Sequence, residues 1–112
     1  MAIQTMTYGC PARAKRVAVF KSTGWLPFGV IMMKRRIELG FTLETVAKAA
    51  GTHKGYISGI EHGKVNPPSA KSIGILCEVL RLNKKVMTLK GWVEKAPLSV
   101  LSDVIKMVEN KV

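Results

Sequence analysis

Residues 42–63, T-L-E-T-V-A-K-A-A-G-T-H-K-G-Y-I-S-G-I-E-H-G, constrain the fold more than any other stretch of this chain. Two short helical patterns meet there at Gly51. Thr42 suits an N-cap, and Glu44 stands near the positive end of the helix it begins. Val46, Ala47 and Ala50 form the inner side of that helix. Thr52 is expected to cap the second helix, in which Ile57 and Ile60 point inward and Gly63 closes the run. A tight turn between them wants a residue tolerant of positive φ, which Gly51 supplies. Small Ala47 and Ala50 let the two helices cross closely, so that the second projects from the surface.

Helical spacing continues on both sides. Pro27 suits a first turn, and Val30, Ile31, Met33, Ile37 and Leu39 supply an apolar face up to Gly40. Asn66-Pro67-Pro68 reads as a rigid turn, and Ser69 caps a helix with Ile73, Leu76, Cys77 and Leu80 at helical spacing. A further helix carries Val86, Leu89, Trp92 and Val93. Pro97 begins the last, with Leu98, Leu101, Ile105 and Val108 on one face. No segment alternates long enough to demand a sheet, so the chain is expected to be all-α, with five to six helices. Gly9, Pro11, Ser22 and Gly24 break the opening, where only Arg16–Lys21 has the makings of a short strand. The expected organisation is a basic N-terminal arm (1–26), a helical domain (27–96) and a C-terminal dimerisation helix (97–112).

Charge narrows the partners. The chain has 18 Lys and Arg against 7 Asp and Glu, a net charge of +11 over 112 residues. Residues 1–37 alone hold seven basic residues and no acid. Such a balance favours polyanions through long-range attraction and counterion release. No run approaches the roughly 18 apolar residues of a membrane span, and Arg13, Lys15 and Arg16 interrupt any secretory signal. Cys10 and Cys77 form no close pair, and Cys77 falls on an apolar stripe, so a cytoplasmic protein without disulfides is expected. His53 and His62 have no cysteine or acid at ligand spacing, which argues against a metal. The acids are scattered and no Gly-rich phosphate loop precedes a helix, so neither an enzyme nor a cofactor is expected. Nothing points to a small-molecule ligand.

At these residues the sequence resembles the lambda-repressor-like (XRE, Cro-type) helix-turn-helix family. The resemblance runs from about Phe28 to Leu82. Its matching features are R-R-I-x-L-G-x-T (35–42), V-A-x-x-A-G (46–51), I-S-x-I-E-x-G (57–63) and Asn66-Pro67 before a helix. It implies a sequence-specific regulator of bacterial or phage origin. Such a regulator binds double-stranded DNA as a homodimer on a palindromic operator, commonly as a repressor, with the helix Thr52–Glu61 in the major groove. Base-reading positions fall on Lys54, Gly55, Ser58 and Gly59, and phosphate contacts on Thr42, His53, Lys64 and Asn66. Thr52 and Tyr56 complete the DNA-facing set, with Arg35 a further phosphate candidate. Arg36 and Glu61 occupy the places of a structural ion pair. Arg13, Lys15 and Arg16 are candidate arm contacts, and Leu98, Leu101, Ile105 and Val108 form the expected dimer seam.

Two departures thin the expected readout. Leu43 stands where many members carry a phosphate-binding glutamine. Gly55 and Gly59 are expected on the reading face, where neither offers a side chain to a base, leaving Lys54 for guanine and Ser58 for several bases. Gly55-x-x-x-Gly59 also reads as a close-packing seam for another helix. Two rival readings therefore stand beside the regulator: an antitoxin that binds its own promoter, and a protein-interaction module that has lost DNA contact. The apolar stripe of the last helix has its own rival, in which it folds back on its own domain.

Overall fold

The computed structural model describes residues 11–110, with side chains from Lys15 to Glu109. Seven helices and no strand occur among the described residues: α1 (Pro11–Thr23), α2 (Phe28–Glu38), α3 (Leu43–Ala50), α4 (Lys54–Glu61), α5 (Ala70–Leu80), α6 (Lys84–Glu94) and α7 (Leu98–Asn110). Local chemistry sets several of their ends. Thr42, Ser69 and Asn83 accept from the backbone N–H three residues on, satisfying donors that the first turns of α3, α5 and α6 leave over. Gly51 adopts φ 73°, and the Thr52 N–H donates back to the Ala47 carbonyl at 2.9 Å, turning the chain sharply between α3 and α4. The cap of α4 is His53 rather than the expected Thr52: its Nδ1 accepts from the Tyr56 N–H at 3.2 Å.

Two apolar cores organise these helices. Phe28, Met32, Val46, Ile57, Ile73 and Leu80 anchor the first, which unites α2 to α5 with Met87 of α6. Phe20, Trp25, Val93, Leu101 and Ile105 make the second, between α1, α6 and α7. This second core corrects the expected organisation at both ends of the chain. Residues 11–23 of the expected arm are not extended, with a strand at Arg16–Lys21, but a helix that packs along α7; residues 1–10 lie outside the described residues. Phe20 is buried there, and the Arg16 guanidinium donates to the carbonyls of Glu94 and Ala96, satisfying acceptors where α6 ends. The Arg13 side chain lies outside the described residues. The seam assigned to a dimer is likewise used within the chain. Leu101 and Ile105 are fully buried, and Leu98 and Val108 pack half-buried beside them. An apolar stripe buries itself on whichever complementary face lies nearest, and α1 supplies that face.

Burial also departs from the expected faces of two helices. In α2 the inward residues are Phe28, Gly29 and Met32, while Ile37 is 61% exposed. In α6 they are Met87, Gly91, Val93 and Glu94, while Val86, Leu89 and Trp92 face out. Each helix is turned so that a glycine sits at its closest approach. A Cβ at Gly91 would stand 2.8 Å from Ile73 Cδ1 and 3.5 Å from Pro67 Cβ.

Glu94 explains the rest of that rotation. Pro27 offers no side-chain cap to α2, and the Glu94 carboxylate takes its place: one oxygen accepts from the Phe28 N–H at 2.6 Å and from Trp25 Nε1 at 2.8 Å. The indole ring in turn lies under Lys90, whose Nζ is 3.8 Å from the ring centroid and donates to the Leu26 carbonyl. Burial pushes the Lys90 ammonium below its usual range, opposed by the Glu94 and Glu109 carboxylates.

Candidate nucleic-acid interface

The α3–α4 pair is held at its angle from behind by α2. Gly29 lies against the last turn of α4 so closely that an added Cβ would come 2.1 Å from the Ile60 carbonyl oxygen and 3.0 Å from Glu61 Cα. Seven residues further along the chain stands a charged latch. Arg36 Nε meets Glu61 Oε2 at 2.8 Å, its Nη2 meets Oε1 at 3.1 Å, and its Nη1 donates to the Phe41 carbonyl at 2.9 Å. This two-pronged geometry is the strong form of an ion pair, and the Glu61 side chain is only 1% exposed. Contact and latch together fix α4 as a rigid projection.

Gly29→Ala tests this arrangement with opposing effects. Helix propensity favours alanine by about 1 kcal/mol. The added methyl, however, collides with backbone rather than with a yielding side chain, and such overpacking costs about 1–3 kcal/mol. The expected outcome is a net loss of stability, read as a lower denaturation midpoint; an unchanged or raised midpoint would show that α2 does not approach α4 at Gly29.

Several residues expected to meet DNA are exposed on this projection. His53, Lys54 and Gly55 stand open at the N-terminal end of α4, as do Thr42 at the start of α3 and Lys64 and Asn66 after α4. Tyr56 and Thr52 are half-buried, with the Tyr56 ring 6.3 Å from that of His53. Because His53 Nδ1 accepts the capping N–H, the neutral ring carries its proton on Nε2. Ser58 is half-buried and engaged with His62, whose Nδ1 donates to the Ser58 carbonyl at 2.8 Å and lies 3.3 Å from its hydroxyl.

Three assignments change in the structure. Gly59 is not on the open face: it is buried beneath Val65, where a Cβ would make ordinary contacts of 3.6 Å with both methyl carbons. Arg35 is held within the fold, donating through Nε to the Leu80 carbonyl at 3.0 Å and pairing with Glu38 at 3.3 Å. Lys15 and Arg16 belong to the α1–α7 layer, Lys15 exposed and Arg16 bound to the end of α6. Sequence reasoning passed over Gly29, Trp25 and Glu94 as parts of the support. A glycine within an apolar helix was the available signal for the first; for Glu94 there was none, since nothing local marks a buried acid.

A short helix fixed at a glycine turn against a second, with its N-terminal end open and basic, defines a helix-turn-helix. Residues 32–84 match the family described as helix-turn-helix, of the XRE, lambda-repressor-like type that DNA-binding regulators carry. Neither a curated protein nor a solved structure matches the chain. No helix among the described residues is long and apolar enough to cross a membrane, and no cluster of potential metal ligands occurs among them.

Proposed function

We propose that this chain is a sequence-specific transcriptional regulator, a repressor that places the N-terminal half of α4 in the major groove of its operator. The observation that carries this reading is the exposure of His53, Lys54 and Gly55 on a helix locked from behind by Gly29 and the Arg36–Glu61 pair. Lys54 is the base-reading residue, and a guanine offers it acceptors at O6 and N7. Thr42, Lys64 and Asn66 position the backbone, and the charge of +11 supplies attraction that does not depend on sequence. Gly55 leaves room for the duplex to approach. A palindromic operator belongs to the same reading, with two copies placing their α4 helices about 34 Å apart on one face of the DNA. Since the α7 seam is internal, the homodimer would pair through another face, and the exposed apolar row Val86, Leu89 and Trp92 of α6 is the one we assign. The regulator would act in the cytoplasm of a bacterium, on chromosomal or phage DNA.

Selection of duplexes from a random pool, followed by titration at two salt concentrations, tests the proposal. Affinity for the selected site is expected to fall with a log–log salt slope of about −0.9 per neutralised phosphate. Lys54→Ala should weaken that site by about 1–3 kcal/mol and relax one base position, whereas Lys64→Ala should weaken all duplexes alike. A slope near zero, or no enriched sequence, would overturn the reading.

A further inference from the structure

Between the two cores lies a cavity of about 310 Å³, partly open to solvent. Val17 and Phe20 of α1, Trp25, Phe28 of α2, Ile60 of α4 and Val65 make its walls. We propose that it is a binding site for an uncharged aromatic molecule of about two rings, and that its occupancy is sensed by α4.

Size and lining argue for this class of ligand. Cavities that hold small molecules begin at roughly 300 Å³ and are mostly apolar. One of about 150 Å³ lined by apolar side chains stays dry and takes a benzene ring, so twice that volume suits two fused rings. Phe20, Trp25 and Phe28 offer ring faces and edges for such a guest. Four residues able to carry charge line the space, and none favours a charged guest. Glu61 and Glu94 are buried and already engaged: Glu61 is paired with Arg36, and Glu94 interacts with Lys90 while accepting from Trp25 and Phe28. Lys21 and His62 are exposed, where water and salt screen them.

The position of the cavity links it to the reading helix. Ile60 and Glu61 are the last two residues of α4, and Gly29, which meets their backbone, also lines the space. A guest that separates α1 from α4, even slightly, presses on the contact that sets the angle of α4. This coupling rests on the regulator reading above; the binding site does not.

Titration with prodan, an uncharged naphthalene fluorophore, tests the site without DNA. The expected result is a saturable one-to-one rise in blue-shifted emission, with the methyl resonances of Val17 and Val65 shifting in the same concentration range. Val17→Trp fills the space and should weaken prodan by at least about ten-fold, equivalent to 1.4 kcal/mol. Should that variant unfold, the wild-type methyl shifts decide alone. Absence of saturation, or shifts confined to other residues, overturns the site. Shifts that follow protein concentration without prodan overturn it too, since a second copy would then fill the groove. With the site established, a selected duplex should bind with altered affinity in saturating prodan. Unchanged affinity overturns the coupling, and failure of the protein to bind any duplex overturns the regulator reading.

Discussion

Glu61→Ala is expected to destabilise the fold by about 3–5 kcal/mol, because it leaves the Arg36 guanidinium, on a side chain only 14% exposed, with the Phe41 carbonyl in place of its counter-ion. Arg36→Met should cost a similar amount, since it leaves a carboxylate that is 1% exposed without its counter-ion. The double variant Arg36→Met/Glu61→Leu should recover most of the loss, as removing both charges abolishes the desolvation penalty along with the attraction. Denaturant midpoints of the three variants form a double-mutant cycle. A mild effect of either single change would show that water reaches the pair. The double variant carries a second expectation: a stable fold whose α4 angle is less sharply defined, so that affinity for a selected duplex falls more than stability does.

Ile105→Ala, in the second core, is expected to cost about 2–5 kcal/mol. Ile105 is completely buried against Phe20, Trp25, Val93 and Leu101. A small chain has only a few such residues, and total stability in this size range is itself about 5–15 kcal/mol. The loss should be independent of protein concentration, because the face that Ile105 occupies lies within one chain. A midpoint that rises with concentration in the wild type and ceases to do so in Ile105→Ala would return the α7 seam to a dimer contact.

What could be read from the sequence was whatever local chemistry dictates. Glycine at 51, threonine at 42 and serine at 69 announce a turn and two caps because each acts on backbone within a few residues. The all-helical class follows equally from spacing. Facing directions were another matter. Alpha2 and α6 carry apolar residues around much of their circumference, and their true inner faces centre on glycines, which contribute nothing to a hydrophobic pattern. α1 went unseen as a helix because its burial depends on α7, some eighty residues later, while its own basic residues suggested solvent. Within the candidate interface the open positions of His53 and Lys54 were legible. The engagement of Arg35 with the Leu80 carbonyl was not, because that partner is 45 residues away.

The capping of α2 by Glu94 bears on how the protein is made. A chain leaving the ribosome presents its whole helix-turn-helix segment, residues 32–84, before Glu94 has been joined to it. Until then the Phe28 N–H that opens α2 has only water to bind, and Phe20 and Trp25 have no α7 to cover them. Contacts of such long sequence separation form late, since the intervening loop must close first. The α3–α4 pair is thus translated early, but the cap of the helix behind it is complete only once Glu94 has emerged, so a polypeptide interrupted near residue 90 would carry that pair on an unfinished support.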